Sequence, residues 1–368
     1  MGVTKDPMTA VTRTGPANSF TDLAGTRVGH ATRRDAGWLT GTSVVLAPAA
    51  GMVAGVDVRG GGPGTRETDL LDPRNLVERV HAIVLTGGSA FGLGAAQGVM
   101  QGLYEDRIGL PVDGPSRVVP IVPAAVIFDL GRGGHFDHWP DAELGMKAYQ
   151  AAKQGQSSTM SGSVGAGAGA VAGGLKGGVG SASAVLADGV TVSAVVVVNC
   201  AGSVADPRTG ELYARRYLDP AEHVGLGVPA RIDVVESARR ATELPVSGLS
   251  TPGFATTIGV VGTDVTLTKA QCAKMAAVAH DGLARAVRPV HSMVDGDTFF
   301  GISTATRPAP QLAQVQEILG AAADVVSRAV ANAVLEATAV ATAAGSWRSY
   351  RDAFPSAFTG ARRPPPGS

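Results

Sequence analysis

Cysteine is scarce: Cys200 and Cys272 are the only two in 368 residues, too few for a disulfide scaffold or a cysteine-based zinc site. Net charge is missing as well. Lysine plus arginine and aspartate plus glutamate both number 31, so no basic field exists to hold a nucleic acid or an anionic membrane. No run of about 18 apolar residues occurs, and the opening stretch MGVTKDPMTAVTRTG lacks the apolar centre of a secretory signal. The expectation is a soluble, cytoplasmic protein with neither a nucleic-acid nor a membrane partner. What the chain has in excess is glycine, 50 residues without a collagen period, which implies many tight turns and close backbone approaches. Hydrophobic residues at 45% and charged ones at 17% are a globular balance, and the length suffices for a large core.

Short apolar runs alternate with helical patterns. TSVVLAP (42 to 48), AIVLTGG (82 to 88), AVIFDL (125 to 130), VSAVVVVN (192 to 199) and DTFFGIST (297 to 304) read as strands. GLGAAQGVMQGLYEDR and PDAELGMKAYQAAKQ have helical spacing, the second with Pro140 in a first-turn position. Thr268 and Gln271 make a capping box, after which Cys272, Met275, Ala276, Ala279 and Leu283 share one helical face. QLAQVQEILGAAADVVSRAVANAVLEA reads as a long helix that needs deep burial. From about Leu218 to Phe254, four prolines predict an irregular connection with a short helix near 232 to 242. Composition predicts disorder for residues 1 to 20 and 359 to 368, and a single domain over 21 to 358.

Several segments carry polar groups that suit chemistry. The glycine-rich run GSVGAGAGAVAGGLKGGVGSAS (162 to 183) fits neither GxxxxGK[ST] nor GxGxxG at a strand-to-helix turn, so nucleotide binding is not expected; Lys176 is its sole charge. In GGSAFG (87 to 92) the residue two after Ser89 is Phe91, so no GxSxG elbow exists. Either Gly87, Gly88 and Ser89 form a plain strand-to-helix turn, or their amides face a substrate. His135, Asp137 and His138 read as a surface cluster rather than a metal site, and His280 and His291 as structural groups. Asp295 and Asp297 flank Gly296 either in a simple turn or at a strand mouth, where a carboxylate can orient an amine or hydroxyl. Arg59, Arg66, Glu67 and Asp69 belong to an ion-paired loop or a substrate rim.

Taken together, RGGGPGTRETDLLDP, LTGGSAFGL, PAAVIFDL, GGLKGGVGSAS, ATTIGVV, AHDGLARAVRP and DGDTFF, ordered over about residues 22 to 355, resemble the DmpA-type aminopeptidase family, which includes the β-aminopeptidases and the nylon-oligomer hydrolases. The resemblance implies a four-layer αββα sandwich. It also implies an amide hydrolase that cuts itself between Ala255 and Thr256, leaving an α chain of residues 1 to 255 and a β chain of 256 to 368 that assemble into a homo-oligomer, a tetramer of αβ units. Thr256 would then supply the nucleophile and, through its freed amine, the base. By the same resemblance Asn199 serves the oxyanion, Lys176 tunes or positions the hydroxyl, Asp295 and Asp297 hold the amine, and Gly87, Gly88, Ser89 and Phe128 meet a small peptide or amide substrate. No metal or organic cofactor is implied. The chain departs from the family pattern at Ala255, where several members have asparagine, and at Phe128, where some have tyrosine. These departures motivate two rival expectations, an acyltransferase like ornithine acetyltransferase and an uncleaved binding protein.

Overall fold

The structure, a computed structural model, describes residues 12–114, 116–155, 161–243 and 254–358. Six strands form one sheet, in the spatial order β1 (Arg13–Thr14), β8 (Gly178–Val185), β9 (Thr191–Val198), β10 (Ile258–Val265), β11 (Thr298–Arg307) and β4 (Val53–Val58). Five form the other: β2 (Arg27–Arg33), β3 (Thr40–Leu46), β6 (Ala82–Thr86), β7 (Ala124–Val126) and β5 (Thr65–Arg66). Pairing is antiparallel except for β10 with β11 and β6 with β7, and in both cases helices lie between the two strands in sequence. Two parallel neighbours need such a crossover.

The two sheets face each other. Val45, Ile83 and Leu85 from one and Val195, Val197, Ile258, Val260 and Phe300 from the other make the shared core. Along β9 the alternate residues Ala194, Val196 and Val198 face the opposite way, onto α6 (Leu312–Leu335), while α5 (Lys269–Ala286) covers β4 and β11 on the same side. With period-2 side chains, a strand buried on both faces reads as one continuous apolar run, which explains VVVV. On the far face of the five-stranded sheet, α2 (Ala95–Glu105) and α3 (Ala142–Gln154), which follow the short α1 (Ser89–Gly92), pack over Val44, Val84 and Ala124. The layers run helix, sheet, sheet, helix, the expected αββα sandwich.

Close packing explains much of the glycine. A Cβ on Gly98 would lie 1.7 Å from the Ala142 carbonyl oxygen, and one on Gly145 would lie 1.9 Å from that of Ala95, so α2 and α3 touch backbone to backbone. The capping box at Thr268 forms, and Cys272, Met275, Ala276, Ala279 and Leu283 are all buried. Helix α6 is long and apolar enough to cross a membrane, yet 78% of its apolar window is buried inside the protein. The helix expected near 232 to 242 is α4 (Arg231–Glu243).

Three details differ from expectation. Pro140 precedes the N-cap of α3 instead of entering its first turn, and the cap is Asp141, whose carboxylate accepts the Leu144 amide at 2.9 Å. Within AVIFDL the strand ends at Val126, because Phe128 and Asp129 turn toward the site described below. The ordered chain starts before residue 21: Arg13 and Thr14 pair with Val185 and Ala184, and Phe20 is fully buried. Residues 1 to 11, the tail from 359 to 368 and the connection 244 to 253 lie outside the described residues.

Candidate active site

The stretch before β10 runs beside the stretch before β11, extending their parallel pairing. Ala255 bridges Asp295, its amide donating to the Val294 carbonyl at 3.0 Å, and the Thr298 amide donates to the Thr257 carbonyl at 3.1 Å. This clamp fixes Thr256, which is buried at 5% exposure. Its amide donates to the Asn199 carbonyl at 2.6 Å, and its hydroxyl turns back to donate to the Ala255 carbonyl oxygen at 2.5 Å. The same oxygen accepts the Gly296 amide at 3.0 Å. A peptide carbonyl held by a fixed backbone donor, with a hydroxyl folded onto it, has the parts needed to bear negative charge when that hydroxyl attacks. Gly296 can approach only because it lacks a side chain: a Cβ there would lie 2.6 Å from the Gly62 oxygen and 2.8 Å from Thr256 Oγ1.

The two aspartates grip the backbone. Asp297 Oδ1 accepts the Thr257 amide at 2.7 Å and Oδ2 accepts from His291 Nδ1 at 2.8 Å. Asp295 accepts from the Ala201 amide at 3.3 Å, the Ser292 amide at 2.9 Å and the Ser292 hydroxyl at 2.5 Å. Neither hydrogen-bonds Thr256 in the uncut chain, where the Asn199 carbonyl accepts its amide; the expectation that a carboxylate holds the amine concerns the cut form. Behind Asp297, the His291 and His280 rings meet edge to face at 4.8 Å, and burial lowers the His280 pKa to about 4.

Lys176 is engaged by the backbone of its own glycine-rich run. It is fully buried, and its ammonium donates to the Gly167, Ala170 and Gly177 carbonyls at 2.8, 2.9 and 2.8 Å. All three protons are thus committed to folding the glycine-rich run, and none reaches the Thr256 hydroxyl. Burial, then the neighbouring charges of Arg132 and Arg34, push its pKa well down, against the pull of Asp129. The Asn199 side chain is likewise committed. Its Oδ1 accepts from Arg132 Nη1 at 2.5 Å and the Val171 amide at 3.0 Å, while Nδ2 donates to the Phe128 carbonyl at 3.3 Å. Arg132 also donates to the Gly169 carbonyl at 2.6 Å, and burial lowers its pKa to about 10.

Beside Thr256 opens a cavity of about 110 Å³, lined by Gly62, Pro63, Ser89, Phe128, Phe254 and Val294 among others, with no charged side chain among the described residues. Ser89 and Phe128 therefore meet there, and the Phe128 and Phe254 rings stand 5.4 Å apart. Gly87 and Gly88 do not line it, and the amides of all three turn residues point inward: Gly87 to the Gly41 carbonyl at 2.9 Å, Gly88 to Asp129 at 2.7 Å, Ser89 to the Ile127 carbonyl at 2.9 Å. Gly88 and Ser89 have φ of 83° and 50°, the left-handed geometry that turns these donors toward the core. Burial raises the pKa of Asp129, which lies 2% exposed beneath that turn.

Three participants escaped the reading of residues: Gly296, Arg132 and Asp129. The first sits inside DGD and the last beside Phe128, so each was within a quoted motif; their partners come from segments far away in sequence. His135 and His138 stack at 4.8 Å, with Trp38 on the other face of His138 at 4.2 Å and the Arg33 guanidinium above Trp38 at 3.6 Å.

An αββα sandwich that aims a buried hydroxyl at a braced peptide carbonyl defines a hydrolase of amide bonds. Comparison with known proteins agrees. The model of peptidase family S58 matches residues 18–348. An uncharacterized aminopeptidase of Mycobacterium tuberculosis (strain ATCC 25618 / H37Rv) is 47% identical, over 93% of this chain and 99% of its own. A 6-aminohexanoate-oligomer endohydrolase of Kocuria sp. (strain KY2) is 30% identical over 89% and 88%. The chain belongs to peptidase family S58 and is an enzyme acting on amide bonds, as its resemblance to the DmpA type implies. Among solved structures, a Burkholderia sp. beta-aminopeptidase superimposes with a TM-score of 0.68 at 21% identity, covering 96% of this chain and 97% of that one. The L-aminopeptidase D-Ala-esterase/amidase of Ochrobactrum anthropi gives 0.68 at 21%, covering 92% of each. At that identity the likeness establishes the fold.

Proposed function

We propose that the enzyme cuts its own chain between Ala255 and Thr256 and then hydrolyses small peptides or related amides with Thr256 as nucleophile. The observation that carries this reading is the Thr256 hydroxyl, 2.5 Å from the Ala255 oxygen that Gly296 also holds. In the first reaction Thr256 Oγ1 bonds to the Ala255 carbonyl carbon, the C–N bond breaks, and the hydroxyl proton ends on the freed nitrogen. Water then opens the ester to an Ala255 carboxylate and a free Thr256 hydroxyl.

The new α-amine, with a reference pKa of roughly 7.7 to 8.0, can take the hydroxyl proton in each later turnover and return it to the leaving amine. The Asn199 carbonyl, which accepts the Thr256 amide at 2.6 Å in the intact chain, orients that amine. Asp295, Asp297, Lys176 and Arg132 are positioning residues for this reaction, through the backbone they hold.

Both reactions join an acyl group to one oxygen, so a substrate's acyl part occupies the region that Ala255 and Phe254 line. Among the described residues no carboxylate lines that region to meet an ammonium beside the scissile carbonyl, and an unpaired buried charge is costly. This favours substrates whose amine lies several carbons away, as in ω-amino acid oligomers, and the name of the Kocuria relative is in keeping with it. In this reading the working form is a cytoplasmic homo-oligomer of αβ units.

Intact-mass measurement of purified protein tests the proposal. Fragments ending at Ala255 and beginning at Thr256 are expected, with a single uncut chain from Thr256→Ala. Cleavage elsewhere, or hydrolysis retained in that variant, overturns the assignment of the nucleophile; transfer to an added amine faster than release to water would make the enzyme an acyltransferase.

A further inference from the structure

A second cavity, of about 340 Å³, opens beside the hairpin that carries Lys176, between that hairpin, α4 and the C-terminal segment around Arg348. Two guanidinium groups line it, Arg240 and Arg348, and one carboxylate, Asp206. The carboxylate is already spent. Asp206 Oδ1 accepts the Arg208 amide at 2.8 Å and its Nε at 3.1 Å, and Oδ2 accepts Nη2 at 2.8 Å. Arg240 Nε is held by Glu236 at 2.5 Å, and Glu236 also serves Arg239 at 2.8 Å.

Arg348 has no such partner. Its Nη2 donates to the Ser237 hydroxyl at 3.4 Å, and among the described residues no carboxylate lies within ion-pair distance of it. Burial, then the Arg240 charge, lower its pKa against the pull of the more distant Glu236 and Asp352. Among the described residues the cavity lining thus carries two guanidinium groups against one carboxylate, and that carboxylate is bound to Arg208. Its other walls are buried and apolar: Leu175, Ala205, Val234 and Phe354. A planar guanidinium fork matches a carboxylate through two parallel hydrogen bonds, and the apolar walls favour a ligand with a hydrophobic body over a fully hydrated inorganic anion.

We propose that this cavity binds a small organic carboxylate, its anionic end on Arg348 and Arg240 and its apolar body against Val234 and Phe354. Such a ligand would also touch the support of the catalytic residues, since the Lys176 amide donates to the Arg348 carbonyl at 2.8 Å and the Gly173 amide to that of Cys200 at 3.2 Å. The site is separate from the Thr256 cavity and stands whether or not the chain cuts itself.

Calorimetric titration of the full-length protein with benzoate, benzamide and inorganic phosphate tests it. Saturable binding of benzoate is expected, weaker by at least about tenfold in Arg348→Gln and in Arg240→Gln, with neither benzamide nor phosphate bound comparably. Arg240 is 52% exposed, so its variant keeps the test open if Arg348→Gln fails to fold, which a melting curve reveals. Absence of saturable benzoate binding, benzamide or phosphate binding as tightly, or benzoate affinity unchanged in a folded variant would overturn the proposal.

Discussion

Gly296→Ala asks whether the geometry around the Ala255 carbonyl drives self-cleavage. The substitution keeps the amide that donates to that oxygen and adds one methyl group. The methyl carbon would meet the Gly62 oxygen at 2.6 Å, Thr256 Oγ1 at 2.8 Å and Pro63 Cα at 3.1 Å. Two of the three are backbone, so relief requires the 295–297 loop or the hydroxyl to move by roughly half an ångström to one ångström, given ordinary contacts near 3.5 Å. Misplacement on that scale typically costs about a hundredfold in rate, or about 2.7 kcal/mol in barrier. A time course of intact mass from fresh protein should show the fragment beginning at Thr256 accumulating about thirtyfold to a hundredfold more slowly, while the circular dichroism spectrum matches the parent. Cleavage at the parental rate in a folded Gly296→Ala protein would refute the role of this contact.

Three further outcomes follow from the packing and the buried charges. Lys176→Met strips the donor from three buried carbonyls, each worth roughly 1–3 kcal/mol when left unpaired, so chemical denaturation should show a loss of several kcal/mol; loss of activity at unchanged stability would mean that Lys176 acts on the chemistry instead. Gly320, exposed within α6 with open space around its Cβ position, should accept alanine with a gain of about 0.5–1 kcal/mol in the same assay. His280 has a folded pKa of about 4 against an ordinary 6.5. The unfolded chain then binds the extra proton between those values, so this group's contribution is fully present above about pH 6.5 and is lost as pH falls toward 4. His280→Gln should flatten that acid loss by up to about 3 kcal/mol, measured as urea stability against pH.

Local rules made the helices legible. The Thr268 and Gln271 box and the face from Cys272 to Leu283 appear as the pattern requires, because capping and helical periodicity are properties of neighbours in sequence. Strand cores were readable for the same reason. The edges were not: Arg13 and Thr14 look like a polar tail until Ala184 and Val185 offer them a ladder. Within the site, residue types were legible and directions were not. Lys176 points at carbonyls of its own glycine-rich run, and the Gly88 amide turns to Asp129, because positive φ and burial, neither visible in a motif, choose the partner.

The order of the six-stranded sheet has a consequence if the chain cuts itself as proposed. Strands β10 and β11 come from the segment after Thr256 and lie between β9 and β4, both from the segment before it. The second product would fill the middle of the first one's sheet as an adjacent pair of strands, and its removal would leave a gap between β9 and β4. Refolding would change from an intramolecular event into a second-order one that slows on dilution, so the intact chain would have a single early opportunity to assemble, and cleavage would make that assembly hard to repeat.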